Sequence, residues 1–443
     1  MRSHFIVKIF IISTLLSIKS IIFGQAYEIK VHIKGAENQE AKLAYYLGEN
    51  KYVEQIKKFD KNGKLVFKDY KILPTGIYLI IIGNKSFFEL LITKDQKFNM
   101  TSDTSNLIGH MKISGSDENS HFFKYQTDVI KLKKRHDKIS EIIKQLNDNN
   151  DSLSVLKEEK TSIENSLNML WQDIVKNEAD LYLAKILNAF NNRNLNKFDF
   201  ADPDLLRTPV YNNMLRLFIK KNINTKASFI IFETGNLLNS LKETEANYQY
   251  VANYLLNFYN TFYKTGMNEV FVWLADNYFL PDKANWFNEK QLKEIQRRRN
   301  QLAKSLPGNM APDLTLPNNT SEYISLHQLD SKYVILYFWS NNCRHCTTAT
   351  TILKKAYPKL QEKNIEIFAV NIDKDTLQWQ KKIENLELEW INCQDINEVS
   401  AYREKYYVYG SPLLYLINSK KVILSKSDGE KEIEKLINKL VGK

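Results

Sequence analysis

Residues 334–346 read Val-Ile-Leu-Tyr-Phe-Trp-Ser-Asn-Asn-Cys-Arg-His-Cys. Six consecutive apolar residues, Val334 to Trp339, are long enough for a strand and too short for a buried helix, so they predict a strand covered on both faces. The segment after the short polar loop predicts a helix from Cys343 to about Leu360. A cysteine placed where a strand ends and a helix opens is chemically distinctive. The free backbone N–H groups and the helix dipole favour a negative charge there, and the thiolate is the form that attacks a disulfide. Two intervening residues put a second thiol within one helical turn. Cys343, at the exposed first position, is therefore expected to attack, and Cys346, facing inward, to resolve the mixed disulfide.

Outward from this segment, Ile365–Ile372 predicts a second strand, 375–385 a helix, 413–417 and 421–424 two more strands, and 429–440 a terminal helix. Strands alternating with helices imply a mostly parallel sheet. The chain holds one further cysteine, Cys393, which reads as a small buried hydrophobe or as a regulatory thiol. Neither a second Cys-x-x-Cys nor a His-x₃₋₅-His pair accompanies the first, so a zinc site is not expected, nor any other metal or cofactor. Arg344 and His345 place cationic side chains beside the first thiol. That favours the thiolate, hence the reduced form and a more oxidising couple.

Several stretches resemble the TlpA-like and related thioredoxin-fold reductases of the bacterial periplasm. They are Ala311-Pro312-Asp313-Leu314-Thr315-Leu316, Val334 to Trp339, Cys343-Arg344-His345-Cys346, Phe368-Ala369-Val370-Asn371-Ile372-Asp373 and Gly410-Ser411-Pro412. The resemblance covers about 310–443. It implies that Phe368–Asp373 is the central strand and that Pro412 is cis and faces the cysteines. It further implies that backbone groups of Ser411 pair with an extended substrate, and that Trp339 either packs beneath the site or is a plain core aromatic. Three positions depart from the pattern. Tyr337 stands where a buried acid is usual, Asn342 where tryptophan precedes the first cysteine, and Thr351 where a helix-kinking proline is common.

The rest of the 443 residues calls for further domains, at about 100–200 residues each. Residues 1–24 carry Arg2 and Lys8, then an apolar run from Phe5 to Ile18, then Gly24, the pattern of a cleaved signal peptide. Lys19 lies late in that run, which leaves an uncleaved membrane anchor as the alternative. Residues 25–118 alternate in short strands with turn signals and predict a β-sandwich-like domain. Lys61-Asn62-Gly63-Lys64 reads as the turn of a hairpin between Gln55–Phe59 and Leu65–Lys68. Residues 119–304 predict an α-helical domain. Ile139, Ile142, Ile143 and Leu146 recur at helical spacing, as do Leu153, Leu156, Ile163, Leu167, Leu170 and Ile174, so two helices are expected to pair antiparallel around a polar turn at Asn147–Asp151. Further helices are expected at 210–220, 246–263, 267–279 and 288–304, with breakers at Asp202-Pro203 and Leu280-Pro281-Asp282. Leu306-Pro307-Gly308 opens a linker to a thioredoxin-like domain at 305–443. The small β domain and helical region are similar to those often found ahead of such domains.

The net charge of +11 falls to about +8 without residues 1–24, leaving 59 basic against 51 acidic residues. The lysines are spread along the chain, so nucleic acid is not an expected partner. The chain as a whole is therefore read as multidomain, with a β-sandwich-like domain, a helical region and a C-terminal α/β thioredoxin fold. Its expected function is thiol–disulfide exchange on protein disulfides or dithiols in the periplasm or cell envelope, served by a membrane or periplasmic redox partner. The alternatives are a binding or scaffold protein whose N-terminal modules carry the main role, and a peroxiredoxin-like peroxidase.

Overall fold

The computed structural model describes residues 26–84, 86–146, 152–192, 194–261, 267–280 and 283–442. The expected signal segment, the polar turn at 147–151 and the breaker Pro281-Asp282 lie outside the described residues. Residue contacts form two compact units, one holding 26–224 and 236–251, the other 225–235 and 252–442. Among the described residues no helix is long and apolar enough to cross a membrane.

The first unit begins with eight strands: β1 (Tyr27–Lys34), β2 (Glu40–Leu47), β3 (Asn50–Lys58), β4 (Lys64–Asp69), β5 (Gly76–Ile82), β6 (Ser86–Ile92), β7 (Lys97–Asp103) and β8 (Lys112–Ser114). They form two four-stranded sheets, ordered β4-β1-β7-β8 and β3-β2-β5-β6. In β1 the residues Tyr27, Ile29, Val31 and Ile33 are buried and alternate with polar neighbours, as a strand covered on one face requires. They share one apolar core with Phe67 and Phe98 from their own sheet and Leu43, Tyr78, Ile80 and Leu90 from the other.

The turn expected at 61–64 forms. Asp60 accepts the N–H groups of Asn62 and Lys64, both at 2.8 Å, and Gly63 takes a left-handed φ of +71°. A Cβ there would meet the Ile33 carbonyl oxygen at 2.5 Å. The expected hairpin does not form, however. β3 pairs with β2 and β4 pairs with β1, so the turn carries the chain from one sheet to the other. Turn chemistry sets the reversal, but the strand's partner is set by which sheet buries its apolar face. β4 buries Leu65 and Phe67, whereas β3 is exposed almost throughout.

α1 (Asp117–Gln145) and α2 (Ser152–Asn177) follow. His121, early in α1, pairs with Glu178 just past the end of α2, whereas Arg135 and His136 further along pair with Glu159 and Glu164 nearer its start, so the two run antiparallel. α1 is capped by Ser116 and joined to β6 through Asn119. That fully buried amide accepts the Leu91 N–H and donates to the Leu91 carbonyl, both at 2.8 Å, as a neighbouring strand would. Six helices come next: α3 (Tyr182–Asn191), α4 (Pro209–Asn222), α5 (Ala227–Ser240), α6 (Glu245–Thr261), α7 (Met267–Leu274), which runs on into a π-helical turn at Ala275–Phe279, and α8 (Glu289–Ala303). The sequence reading contained α4 and α6–α8 but neither α3 nor α5.

The C-terminal part comprises β9 (Thr315–Pro317), β10 (Tyr323–Ser325), β11 (Tyr333–Trp339), α9 (Arg344–Glu362), β12 (Ile365–Asn371), α10 (Thr376–Leu386), β13 (Ile391–Gln394), α11 (Tyr402–Tyr406), β14 (Leu413–Asn418), β15 (Ile423–Asp428) and α12 (Glu430–Val441). β11 to β15 form a five-stranded sheet ordered β13-β12-β11-β14-β15, with β11, β12 and β13 parallel and β14 and β15 antiparallel. This is the thioredoxin-like α/β architecture. The middle position belongs to β11, and the segment expected at the centre, β12, lies beside it. Ile335, Tyr337 and Trp339 enter the core shared with α9, α10 and α12, while Val334, Leu336 and Phe338 enter the core on the opposite face. Residues 308–311 lie along β15: Gly308 and Ala311 donate to the carbonyls of Ile423 and Lys421, and Asn309 accepts from Ile423.

Asn119→Ala removes the partners of two buried backbone groups of Leu91, each costing about 1–3 kcal/mol when left unsatisfied. The variant should lose about 2–4 kcal/mol of stability in the first unit, with faster hydrogen exchange in β6 and the first turn of α1. Unchanged exchange in β6 would show that Asn119 does not staple the two together.

Candidate active site

β11 ends at Trp339, and the three residues that follow are held by groups from the β12–α10 side. The Asp373 carboxylate accepts from the Ser340 hydroxyl, at 2.9 and 3.0 Å, and from the Asn341 N–H. Asn371 donates to the Asn341 side-chain oxygen at 3.1 Å, and the Lys382 ammonium donates to the Asn341 carbonyl. Asn342 and Gln378 exchange two amide hydrogen bonds, at 3.3 and 3.2 Å. The chain thus reaches Cys343 with its direction set on both sides.

Cys343 is the N-cap of α9, and its Sγ accepts the Cys346 N–H at 3.1 Å. The two cysteines form a disulfide with a Cα–Cα separation of 5.1 Å. Cys343 is half-exposed, and Cys346 is fully buried among Trp339, Ala349 and Leu353. The geometry assigns unequal access: an incoming sulfur reaches Cys343 first. On reduction, the Cys346 N–H and the α9 N-terminus stand ready to stabilise a thiolate at Cys343.

The Ser411–Pro412 peptide bond is cis, as the resemblance implies. The Ser411 carbonyl oxygen lies 3.5 Å from Cys343 Sγ. Trp339 is buried in the same core as Cys346. Its indole N–H has no hydrogen-bond partner among the described residues, and the Lys382 ammonium lies 5.9 Å from its ring centroid. Tyr337, at the position where a buried acid is usual, is fully buried; its hydroxyl donates to the Cys346 carbonyl at 3.2 Å and lies 3.1 Å from the Thr350 hydroxyl. Burial pushes the Tyr337 phenol well above its ordinary range, so this position holds a neutral hydroxyl.

Arg344 and His345 are both exposed. His345 does not stand alone: its Nδ1 lies 3.1 Å from Glu430 Oε2, at the first residue of α12. The hydrogen bond to His345 holds the Glu430 carboxyl below its ordinary range, with further help from the Thr348 hydroxyl and the Arg344 charge. Sequence reasoning missed Glu430, since nothing local marks a residue 85 positions beyond its partner. It also missed Asp373 and Lys382, although Asp373 stands in the stretch quoted for the resemblance.

Cys393 lies on β13 opposite Val370 and is fully buried. Burial alone pushes its thiol up to about 12. It forms no disulfide. Among the described residues, no three His, Cys, Asp or Glu side chains are grouped so as to hold a metal ion.

The AhpC/TSA family profile matches residues 307–425. The thiol-disulfide oxidoreductase ResA of Bacillus cereus is 26% identical over 129 residues, which is 29% of this chain and 73% of that protein. Two similar solved structures are the thioredoxin domain of a thiol-disulfide oxidoreductase from Bacteroides vulgatus and a domain of a possible thiol-disulfide isomerase from Cytophaga hutchinsonii. The first is 26% identical, covers 31% of this chain and 98% of that one, and has a TM-score of 0.29. The second is 30% identical, covers 30% and 92%, and has a TM-score of 0.28. The C-terminal domain of this chain therefore matches the AhpC/TSA family on a thioredoxin fold, and the curated relatives that match it are named thiol–disulfide oxidoreductases.

The three thiols differ in access and in thiolate fraction, which alkylation can separate. In the reduced native protein at pH 8, iodoacetamide should label Cys343 first and Cys346 much more slowly. Cys393, fully buried and with its thiol pushed up to about 12, should stay unlabelled until guanidinium unfolds the chain. Native labelling of Cys393 at a rate near that of Cys343 would contradict the buried placement.

Proposed function

We propose that this protein exchanges disulfides with protein substrates in the periplasm or cell envelope, using Cys343 as the attacking thiol and Cys346 as the resolving one. The observation that carries this reading is the asymmetry of the pair: a half-exposed sulfur at a helix N-cap, 3.5 Å from the Ser411 carbonyl, above a fully buried partner.

In the reducing direction the Cys343 thiolate attacks one sulfur of a substrate disulfide. A mixed disulfide forms and the other substrate sulfur leaves as a thiolate, which takes a proton. Cys346 then loses its proton and attacks Cys343 Sγ, which closes the Cys343–Cys346 disulfide and expels the second substrate thiolate. The substrate gains two electrons and two protons, and the protein's dithiol loses them. A membrane or periplasmic redox partner must restore the dithiol; run in reverse, the same steps oxidise a substrate dithiol. Ser411, beside the cis Pro412, offers a backbone carbonyl to an extended substrate segment, and Trp339 supports Cys346 from below. Arg344 and His345 act on the thiolate through their charge. The compartment is inferred from the signal-like residues 1–24.

The wild-type protein should speed insulin reduction by dithiothreitol. Cys343→Ser should abolish that activity, and Cys393→Ser should leave it near wild type. In cells, Cys346→Ser should accumulate mixed disulfides whose partners mass spectrometry identifies. Loss of activity in Cys393→Ser would refute the two-cysteine mechanism. Peroxide consumption that needs Cys343 but not Cys346 would replace the reading with a peroxidase.

A further inference from the structure

Arg344 and His345, beside Cys343, face a carboxylate brought from the far end of the chain. Glu430 is the first residue of α12, directly after Gly429, whose N–H donates to the Pro412 carbonyl at 3.3 Å. The backbone that carries Ser411 and Pro412 to the cysteine therefore also anchors the turn that presents Glu430. α12 itself is seated on the core beneath α9: Ile433 and Ile437 are buried with Cys346, Ala349 and Leu353. The carboxylate is thus held from two sides, 3.1 Å from His345 Nδ1 and facing the Thr348 hydroxyl and the Arg344 charge.

We propose that Glu430 sets the redox poise of the Cys343–Cys346 couple, offsetting the charge of Arg344 and His345 so that the couple is more reducing than its Cys-Arg-His-Cys segment alone would make it. The proposal deepens the function proposed above and rests on it.

The sign follows from counting charge. A carboxylate contributes one negative charge and can at most retain one extra proton on the neighbouring imidazole. Whatever the state of His345, replacing Glu430 with an uncharged isostere leaves the local charge equal or more positive. Positive charge near the α9 N-terminus favours the Cys343 thiolate, which belongs to the reduced form. A stabilised reduced form makes the disulfide a stronger oxidant. The His345–Glu430 pair is partly exposed, with side-chain exposures of 68% and 32%, so water and salt limit the effect.

The test is a charge series at one position in the full chain, read by equilibrium with reduced and oxidised glutathione at neutral pH. Glu430→Gln should shift the equilibrium toward the reduced protein by about threefold to tenfold, where tenfold corresponds to about 30 mV for a two-electron couple. Glu430→Lys should shift it further in the same direction, and Glu430→Asp should stay near wild type. The apparent Cys343 pKa, followed by thiolate absorbance, should fall in the same order, and the differences should shrink in 1 M salt. A merely structural role would change stability without ordering the potentials by charge. A flat series, or one ordered against charge, overturns the proposal. Failure of the wild-type pair to equilibrate with glutathione at all would instead refute the function it rests on.

Discussion

The site depends on β11 being buried on both faces. Ile335, Tyr337 and Trp339 fill one core and Val334, Leu336 and Phe338 the other, with β12 parallel on one side and β14 antiparallel on the other. Fully burying an apolar side chain is worth roughly 1.5–3 kcal/mol, so this strand has little freedom to move. A slip of one residue would exchange its two faces and put every side chain in the wrong core. The strand's end is therefore fixed, and so is the place where Cys343 emerges. Asp373 and Lys382 then hold the loop that turns the chain into α9.

On that scaffold the same side chain acquires three characters. Cys343 sits at a helix N-cap within reach of solvent and receives a backbone N–H. Cys346, one turn on, is sealed against Trp339. Cys393, in an adjoining part of the same sheet, is a buried thiol pushed up to about 12 by desolvation alone. Reactivity is a property of where the sulfur stands. Tyr337 shows the same principle in reverse, since burial makes its phenol a fixed donor to the Cys346 carbonyl.

Much of this was legible beforehand, and the misses share a cause. Val334–Trp339, the Cys343–Cys346 helix and the alternating strands of the N-terminal region announce themselves through periods of two and 3.6 residues and through cap chemistry, all short-range properties. β13 and α11 escaped because they are short and their pattern is weak; only pairing with β12 makes Ile391–Gln394 a strand. The turn at Asp60–Lys64 was read from its residues, but the hairpin inferred from it was not there, because pairing is decided by burial across sheets. Arg344 and His345 are visible in the sequence as neighbours of Cys343, and the carboxylate facing His345 is not.

The sequence by itself determined the redox pair, the strand that delivers it, the helix that opens on it, and the division into β-rich, helical and α/β parts. Each of these rests on residues within a few positions of one another, where propensity, periodicity and capping act. Tertiary structure decided that β11 rather than β12 holds the centre of the sheet, that β3 and β4 belong to different sheets, that Asp373 and Lys382 hold the loop before Cys343, and that Glu430 answers His345. Those outcomes join residues tens of positions apart, and they follow from how whole faces are buried, which no local pattern encodes.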